Sequence, residues 1–266
     1  MQIFIGIFLG ILISLLAWKA RALSNSGAFA AAATGGLIFG LGGLPWGVLL
    51  LIFFITSSAL SRAFRQRKTN LSEKFSKGSQ RDWGQVLANG GLGTLLVIGI
   101  FFAPEKTIFW IAYAGAMAAV NADTWATELG VLNPHRPRLI TNGQPVDPGT
   151  SGAISLYGTI ASLGGAALVG LVGAAFSPAG GRLSLFVAAT LGGLAGSLFD
   201  SLLGATVQAI YHCPQCDKET ERHPTHSCGM ETTQIRGWGW LNNDLVNFLA
   251  SVVGALVAAI LWGMIH

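Results

Sequence analysis

The chain has 266 residues, of which 52% are hydrophobic and only 11% charged, and its mean hydropathy is +0.56. This composition excludes a soluble globular protein and predicts an all-α polytopic membrane protein, with residues 1–266 forming a single membrane domain. The formal net charge is +4, and its placement is more informative than its size. Apolar runs long enough to span, or nearly so, predict eight transmembrane helices over roughly 2–17, 27–43, 46–63, 84–103, 107–131, 152–176, 183–210 and 238–264. The first run has no basic flank ahead of it and no small-residue cleavage site, so it reads as a retained helix rather than a signal peptide. The second is short and glycine-rich, which suits a tilted or broken segment. With 36 glycines in the chain, close helix packing through small residues is expected.

Lysines and arginines alternate by loop. Lys19 and Arg21 follow the first helix; Arg62, Arg65, Arg67, Lys68, Lys74, Lys77 and Arg81 follow the third. Arg136 and Arg138 follow the fifth, and Lys218, Arg222 and Arg236 the seventh, so 14 of the 16 basic residues fall on one side. Only Lys106 and Arg182 lie on the other. By the positive-inside rule the odd-numbered loops are expected in the cytoplasm and both termini outside, in a bacterial or archaeal plasma membrane.

The fifth segment is interrupted by Asn121-Ala-Asp-Thr-Trp-Ala-Thr-Glu-Leu-Gly130. A charge near the bilayer centre costs roughly 2.5–3.5 kcal/mol or more, so Asp123 and Glu128 are expected to face a polar cavity or a partner. At ~100° per residue Asn121, Thr124 and Glu128 share a face, with Asp123 alongside. Two further acids fall near the same end. The predicted boundaries place Asp123 ~12 Å deep, Asp200 ~15 Å and Asp244 ~9 Å. Asn89, Ser155, Asn243 and Asn247 occupy the matching parts of other helices, while the opposite halves are nearly all apolar. A polar chamber open at one end follows. Four acids in one chamber would repel one another without a cation, and hard cations such as Mg²⁺ take oxygen ligands together with substrate phosphates. Mutually hydrogen-bonded protonated carboxyls, or a proton or cation pathway, are the other readings.

The run Asp147-Pro-Gly-Thr-Ser-Gly-Ala-Ile-Ser155 opens the sixth helix, with Thr150 or Ser151 as N-cap, and a small-residue helix N-terminus suits a phosphate. The basic loop Arg62 to Arg81 could grip phosphates or anionic headgroups, or only set topology. Only Phe64 and Phe75 fall among that charge, not the aromatic interleaving that stacking on bases would use, so no nucleic-acid partner is expected. The three cysteines fall in one polar loop, residues 211–237, as Cys213-Pro-Gln-Cys216 and His223-Pro-Thr-His226-Ser-Cys228-Gly229. An odd count in one short segment points to metal rather than disulfides. Tetrahedral zinc needs a fourth ligand, which His226, two residues from Cys228, supplies, with His223 as the alternative. A full ligand set leaves no open position, so a structural zinc ribbon is expected, on the cytoplasmic side.

Together, Gln85-Val-Leu-Ala-Asn-Gly-Gly91, Ala122-Asp-Thr-Trp-Ala-Thr-Glu-Leu-Gly130, Gly149-Thr-Ser-Gly-Ala-Ile-Ser155, Gly196-Ser-Leu-Phe-Asp-Ser-Leu-Leu-Gly204 and Trp240-Leu-Asn-Asn-Asp-Leu-Val-Asn247 resemble domain-of-unknown-function family ninety-two. That family comprises transmembrane protein nineteen-like and phytyl-phosphate kinase-like integral membrane proteins. The plant branch implies transfer of a phosphoryl group from a nucleoside triphosphate, with CTP favoured, to an isoprenyl monophosphate. On that resemblance Asp123, Glu128, Asp200 and Asp244 are candidate catalytic groups, the three aspartates also as magnesium ligands. Asn89, Arg81, Thr124, Thr150, Ser151, Ser155, Asn243 and Asn247 would bind substrate or phosphate. The rival expectation is a cation-coupled transporter or lipid flippase that uses the acids as an intramembrane ion site.

Overall fold

The computed structural model describes residues 1–64, 74, 80–103, 107–177 and 180–265. Most of the Arg62–Arg81 loop, including Arg65, Arg67, Lys68 and Lys77, lies outside the described residues, as does Lys106. Eight helices follow one another: α1 (Gln2–Lys19), α2 (Asn25–Gly42), α3 (Leu44–Ala63), α4 (Trp83–Phe102), α5 (Ile108–Gly130), α6 (Leu156–Ala175), α7 (Arg182–Thr206) and α8 (Asn243–Ile265). Six of them, all but α2 and α5, are long and apolar enough to cross a membrane. In α2 the alanine and glycine content dilutes the hydropathy, and in α5 the polar run 121–128 does.

Helix α5 is the axis of the bundle. It packs against α3, α4, α6, α7 and α8, and from Trp110 to Ala122 all but one residue is buried. Its first half supplies much of the core: Trp110, Ile111, Tyr113 and Met117 meet Trp46, Leu49 and Phe53 of α3, Val169 of α6 and Leu185 of α7. Outside it, α1 packs on α2 through paired glycines. A Cβ on Gly6 would sit 2.2 Å from the Gly40 nitrogen, and one on Gly10 would sit 2.5 Å from that of Gly36. The two backbones touch, so dispersion replaces side-chain interdigitation as the contact. The opposite face of α1, with Phe4, Phe8 and Leu15, is exposed as lipid-facing residues are. The Gly192 and Gly196 positions serve the same purpose where α7 crosses α8: added methyl groups would lie 2.6 Å from the Gly254 oxygen and 2.7 Å from that of Ala250.

Three helix boundaries differ from the sequence expectation by more than two residues. Helix α6 starts at Leu156 rather than 152, because Ser155, not Thr150 or Ser151, is the N-cap and accepts from the Gly158 N–H at 3.1 Å. The residues ahead of it form a turn and a short strand, β2 (Ala153–Ile154), paired antiparallel with β1 (Arg138–Leu139). Helix α7 ends at Thr206 instead of 210, since Ile210 joins β3 (Ile210–Cys213). Helix α8 starts at Asn243 rather than 238, with Asn242 Oδ1 capping the Leu245 N–H at 3.0 Å. These ends make the acids shallower. Asp200 lies six residues from the end of α7, ~9 Å, Asp123 seven from the end of α5, ~10 Å, and Asp244 in the first turn of α8.

Between α7 and α8, β3 pairs antiparallel with β4 (Lys218–Thr220) on one side and with β5 (Thr233–Arg236) on the other. This ribbon is clamped to the end of α7. Arg236 donates to the Ala205 carbonyl at 2.8 Å, the Ala209 N–H to Leu241 at 2.9 Å and the Trp238 N–H to Val207 at 2.9 Å.

Candidate functional site

The ends of α1, α3, α5 and α7 and the starts of α4, α6 and α8 surround one cavity of about 1060 Å³. Its size follows from what lines it. All of these helices except α1, which contributes Ala17 and Ala20, reach this end with serine, threonine, asparagine or a carboxylate, short polar side chains that leave space between the helix ends. Asp123, Thr124 and Glu128 line it from α5, and Asp200 with Ser197 and Ser201 from α7. Asn89 of α4, Asn243 and Asn247 of α8, Arg81, and Thr150, Ser151 and Ser155 ahead of α6 complete the set. Asp244 is the exception. It does not line the cavity, and its place in the first turn of α8 suits the helix dipole.

The carboxylates are held differently. Glu128 is 6% exposed and accepts from Ser61 of α3 at 2.6 Å. Asp200 Oδ2 is buried with no hydrogen-bond partner among the described residues, and Asp123 and Glu221 lie within Coulombic range of it. A buried carboxylate oxygen without a donor carries a large desolvation cost that a cation or a proton would offset. By donor chemistry the Asp123–Asp200 pair therefore fits a hard divalent cation.

Arg81 supplies the opposing charge. Its backbone joins the α1–α2 turn, taking the Ala22 carbonyl and receiving the Ser24 N–H, each at 3.0 Å. Its guanidinium lies 5.5 Å from the ring centres of both Phe53 and Phe54 and donates to Ser58 at 2.9 Å. Burial pushes this guanidinium down to about 10, with Glu128 opposing the shift, so it stays charged at neutral pH. Arg62, which opens the basic loop that the sequence offered as a phosphate grip, and Arg21, offered only as a topology charge, also line the cavity.

Several polar groups are committed to structure. Asn121 is fully buried: its Oδ1 accepts from Thr56 at 3.0 Å and its Nδ2 donates to the Gly165 carbonyl at 2.8 Å, tying α5 to α3 and α6. Thr124 donates back to Val120 at 3.0 Å. Ser151 donates at 3.0 Å to Gln208, whose Nε2 donates at 2.8 Å to Glu221. Neither carried a signal in the sequence: Gln208 falls in the last turn of the expected seventh helix and Glu221 in a polar loop, where such side chains are ordinary. Ser58 and Ser61 did carry a signal, as polar breaks in the apolar run of α3.

The ribbon brings Cys213, Cys216, His226 and Cys228 together, with their ligand atoms all within 4.8 Å of one another. The closest approaches are 3.3 Å from His226 Nδ1 to Cys228 Sγ and 3.5 Å between the Cys213 and Cys228 sulfurs. Tetrahedral zinc with Zn–S near 2.3 Å requires ligand separations of about 3.7 Å, so the group could hold a metal such as zinc. His223 is occupied elsewhere, stacked on Tyr211 with ring centres 4.5 Å apart.

The family described as integral membrane protein DUF92 matches residues 8–255. The chain belongs to the DUF92 family. Protein PGR of Arabidopsis thaliana is 31% identical over 97% of this chain and 96% of its own length. An uncharacterized membrane protein of Methanocaldococcus jannaschii is 31% identical over 98% and 94%. More distantly, the chloroplastic protein VTE6 of Arabidopsis thaliana is 25% identical over 90% of this chain and 65% of its own length. No solved structure matches the chain. The DUF92 match runs from within α1 to within α8, so the cavity and the ribbon both lie within the family's span.

Proposed function

We propose that this protein is a membrane-embedded phosphotransferase that moves the terminal phosphoryl group of a nucleoside triphosphate, with CTP favoured, onto an isoprenyl monophosphate. The observation that carries this reading is a single cavity that sets carboxylates for a divalent cation beside arginines for phosphates. Phosphoryl transfer needs positioning and charge neutralisation more than covalent catalysis. A phosphate oxygen of the isoprenyl monophosphate attacks the terminal phosphorus, a new P–O bond forms, the bond to the leaving diphosphate breaks, and the nucleoside diphosphate departs. Asp123 and Asp200 would hold Mg²⁺, which when bound neutralises nucleotide phosphate charge. Arg81, with Arg21 and Arg62, binds phosphate oxygens. Asn89, Asn243 and Asn247 orient the phosphates, Glu128 holds Arg81 electrostatically, and the Thr150–Ser155 turn closes the far wall.

The cavity also suits the acceptor's tail. Its walls on α1 and α3 are apolar at Ala17, Ala20, Phe54, Ile55 and Ala59, and Ile55 is 59% exposed on the lipid-facing surface as well. A hydrocarbon chain could therefore leave the polar site sideways into the bilayer. The resemblance to phytyl-phosphate kinase-like proteins supports the same substrate class. The charge asymmetry supports a cytoplasmic cavity and ribbon, and the Cys₃His group supports a structural zinc in that ribbon. The deciding experiment offers purified protein phytyl and geranylgeranyl monophosphate with labelled CTP, ATP, GTP or UTP and Mg²⁺. Formation of the isoprenyl diphosphate is expected. Folded protein that makes no product from any pair overturns the reading, and ion flux in proteoliposomes would then be the next measurement.

A further inference from the structure

Among the described residues, Glu221 is the one acid lining the cavity that no transmembrane helix carries. It sits on the ribbon just beyond β4, between the two halves of the Cys₃His group, Cys213/Cys216 and His226/Cys228. Whatever fixes those halves also fixes Glu221. Glu221 nevertheless lines the membrane cavity and is near enough to Asp200 for their charges to interact.

One link between ribbon and cavity is Gln208, 1% exposed at the end of α7; a second runs through Lys74, whose carbonyl takes the Glu221 N–H at 2.9 Å and whose ammonium donates to the Pro148 carbonyl at 3.1 Å. An ionised carboxylate only accepts, so the Gln208 Nε2 must point to Glu221 and its Oε1 to the Ser151 hydroxyl. Both ends of a buried amide are thereby used, at 2.8 and 3.0 Å. The backbone around Gln208 has no slack: a Cβ on Gly237 would meet its carbonyl carbon at 2.3 Å, and Gly152, next to Ser151, abuts Ala205. A displacement of Glu221 therefore passes to the Gly149–Ala153 turn instead of being absorbed.

We propose that Glu221 is a positioning residue of the cavity, and that metal bound by Cys213, Cys216, His226 and Cys228 holds it there, so that ribbon and cavity work as one unit. The consequence for cation binding rests on the function proposed above; the mechanical coupling does not. Partners that orient a metal-binding carboxylate are worth about 10–100-fold in affinity.

The test uses the full chain in nanodiscs, zinc-loaded or stripped by a chelator under reducing conditions. Amide exchange is read at Thr150 and Ala153, whose N–H groups are bonded within the turn, and Mn²⁺ binding is read by electron paramagnetic resonance. Stripping is expected to speed exchange at Thr150 and Ala153 about tenfold and to weaken Mn²⁺ about tenfold, with α5 still protected. Gln208→Leu with zinc bound should reproduce most of the faster exchange, and stripping that variant should add less at these two amides than stripping the wild type. Glu221→Gln keeps an acceptor for Gln208, so it should retain slow exchange yet weaken Mn²⁺, and Glu221→Asp should recover part of the affinity. Unchanged exchange and Mn²⁺ affinity in stripped protein, or in zinc-loaded Gln208→Leu, overturns the proposal. Coupling without any phosphoryl transfer by wild-type protein would instead remove the kinase reading and leave this one standing.

Discussion

Gly152 is where backbone conformation and cavity geometry meet most tightly, and alanine there separates two effects. Its φ is +81°, a left-handed conformation that costs an L-residue about 1–2 kcal/mol. The added Cβ would also sit 2.2 Å from the Ala205 nitrogen and 2.4 Å from its Cα. Those atoms belong to the backbone of α7 and cannot rotate away, so the turn or the helix end must shift, at about 1–3 kcal/mol for overpacking. The sum is about 2–5 kcal/mol, or roughly 5–15 °C in unfolding midpoint for a chain of this size. Gly143 is the control. Its φ is +70° but nothing lies within 4 Å of its Cβ position, so Gly143→Ala carries the conformational strain alone. Scanning calorimetry of both variants in nanodiscs reads the difference. A Gly152→Ala midpoint no lower than that of Gly143→Ala would refute the close approach of the turn to α7.

Three further outcomes are expected. Asp123→Asn and Asp200→Asn, each nearly isosteric, should lower phosphoryl transfer at least about 100-fold without lowering the unfolding midpoint, since they remove carboxylate charge where phosphate charge must be neutralised; rates within a few-fold of wild type would exclude these two residues as the cation site. Asn121→Leu leaves the Gly165 carbonyl without its donor and the Thr56 hydroxyl without this acceptor, and should destabilise the bundle by about 1–3 kcal/mol while leaving the cavity side chains in place. Metal analysis should find about one zinc per chain, lost in Cys213→Ser and Cys228→Ser; folded wild-type protein free of metal would defeat the zinc assignment.

Helix number was legible because burial in lipid demands long apolar runs, and each of the eight runs became a helix. The ends were less legible. Residues 238–242 are aromatic and apolar enough to continue α8 backwards, yet Asn242 caps the helix and the Trp238–Trp240 pair stacks outside it, ring centres 5.5 Å apart. Hydropathy cannot distinguish an interfacial tryptophan from a spanning one. At the start of α6 three good caps compete within six residues, and the β1–β2 pairing, a contact between segments fourteen residues apart that no local pattern reports, selects Ser155. Most candidate site residues stood out because a polar group in an apolar run needs a reason. Gln208 and Glu221 did not: a glutamine in the last turn of the expected seventh helix and a glutamate in a polar loop are unremarkable until the fold turns them toward a membrane cavity.

The closed end of the bundle bears on the choice between transferase and transporter. Opposite the cavity, Trp46 and Tyr113 stack with ring centres 4.3 Å apart, Trp110 lies 5.6 Å from Trp46, and the Tyr113 hydroxyl donates to the Trp46 carbonyl at 2.8 Å. Beneath them Ile111, Met117 and Leu185 are fully buried. Alternating access would have to part this aromatic layer and expose apolar side chains to water, and no buried charge among the described residues there would reward the opening. A phosphotransferase asks for neither. Both of its substrates present their phosphates from one side of the membrane and both products leave by it, so a cavity that is polar at one end and a solid core at the other is the arrangement that chemistry needs.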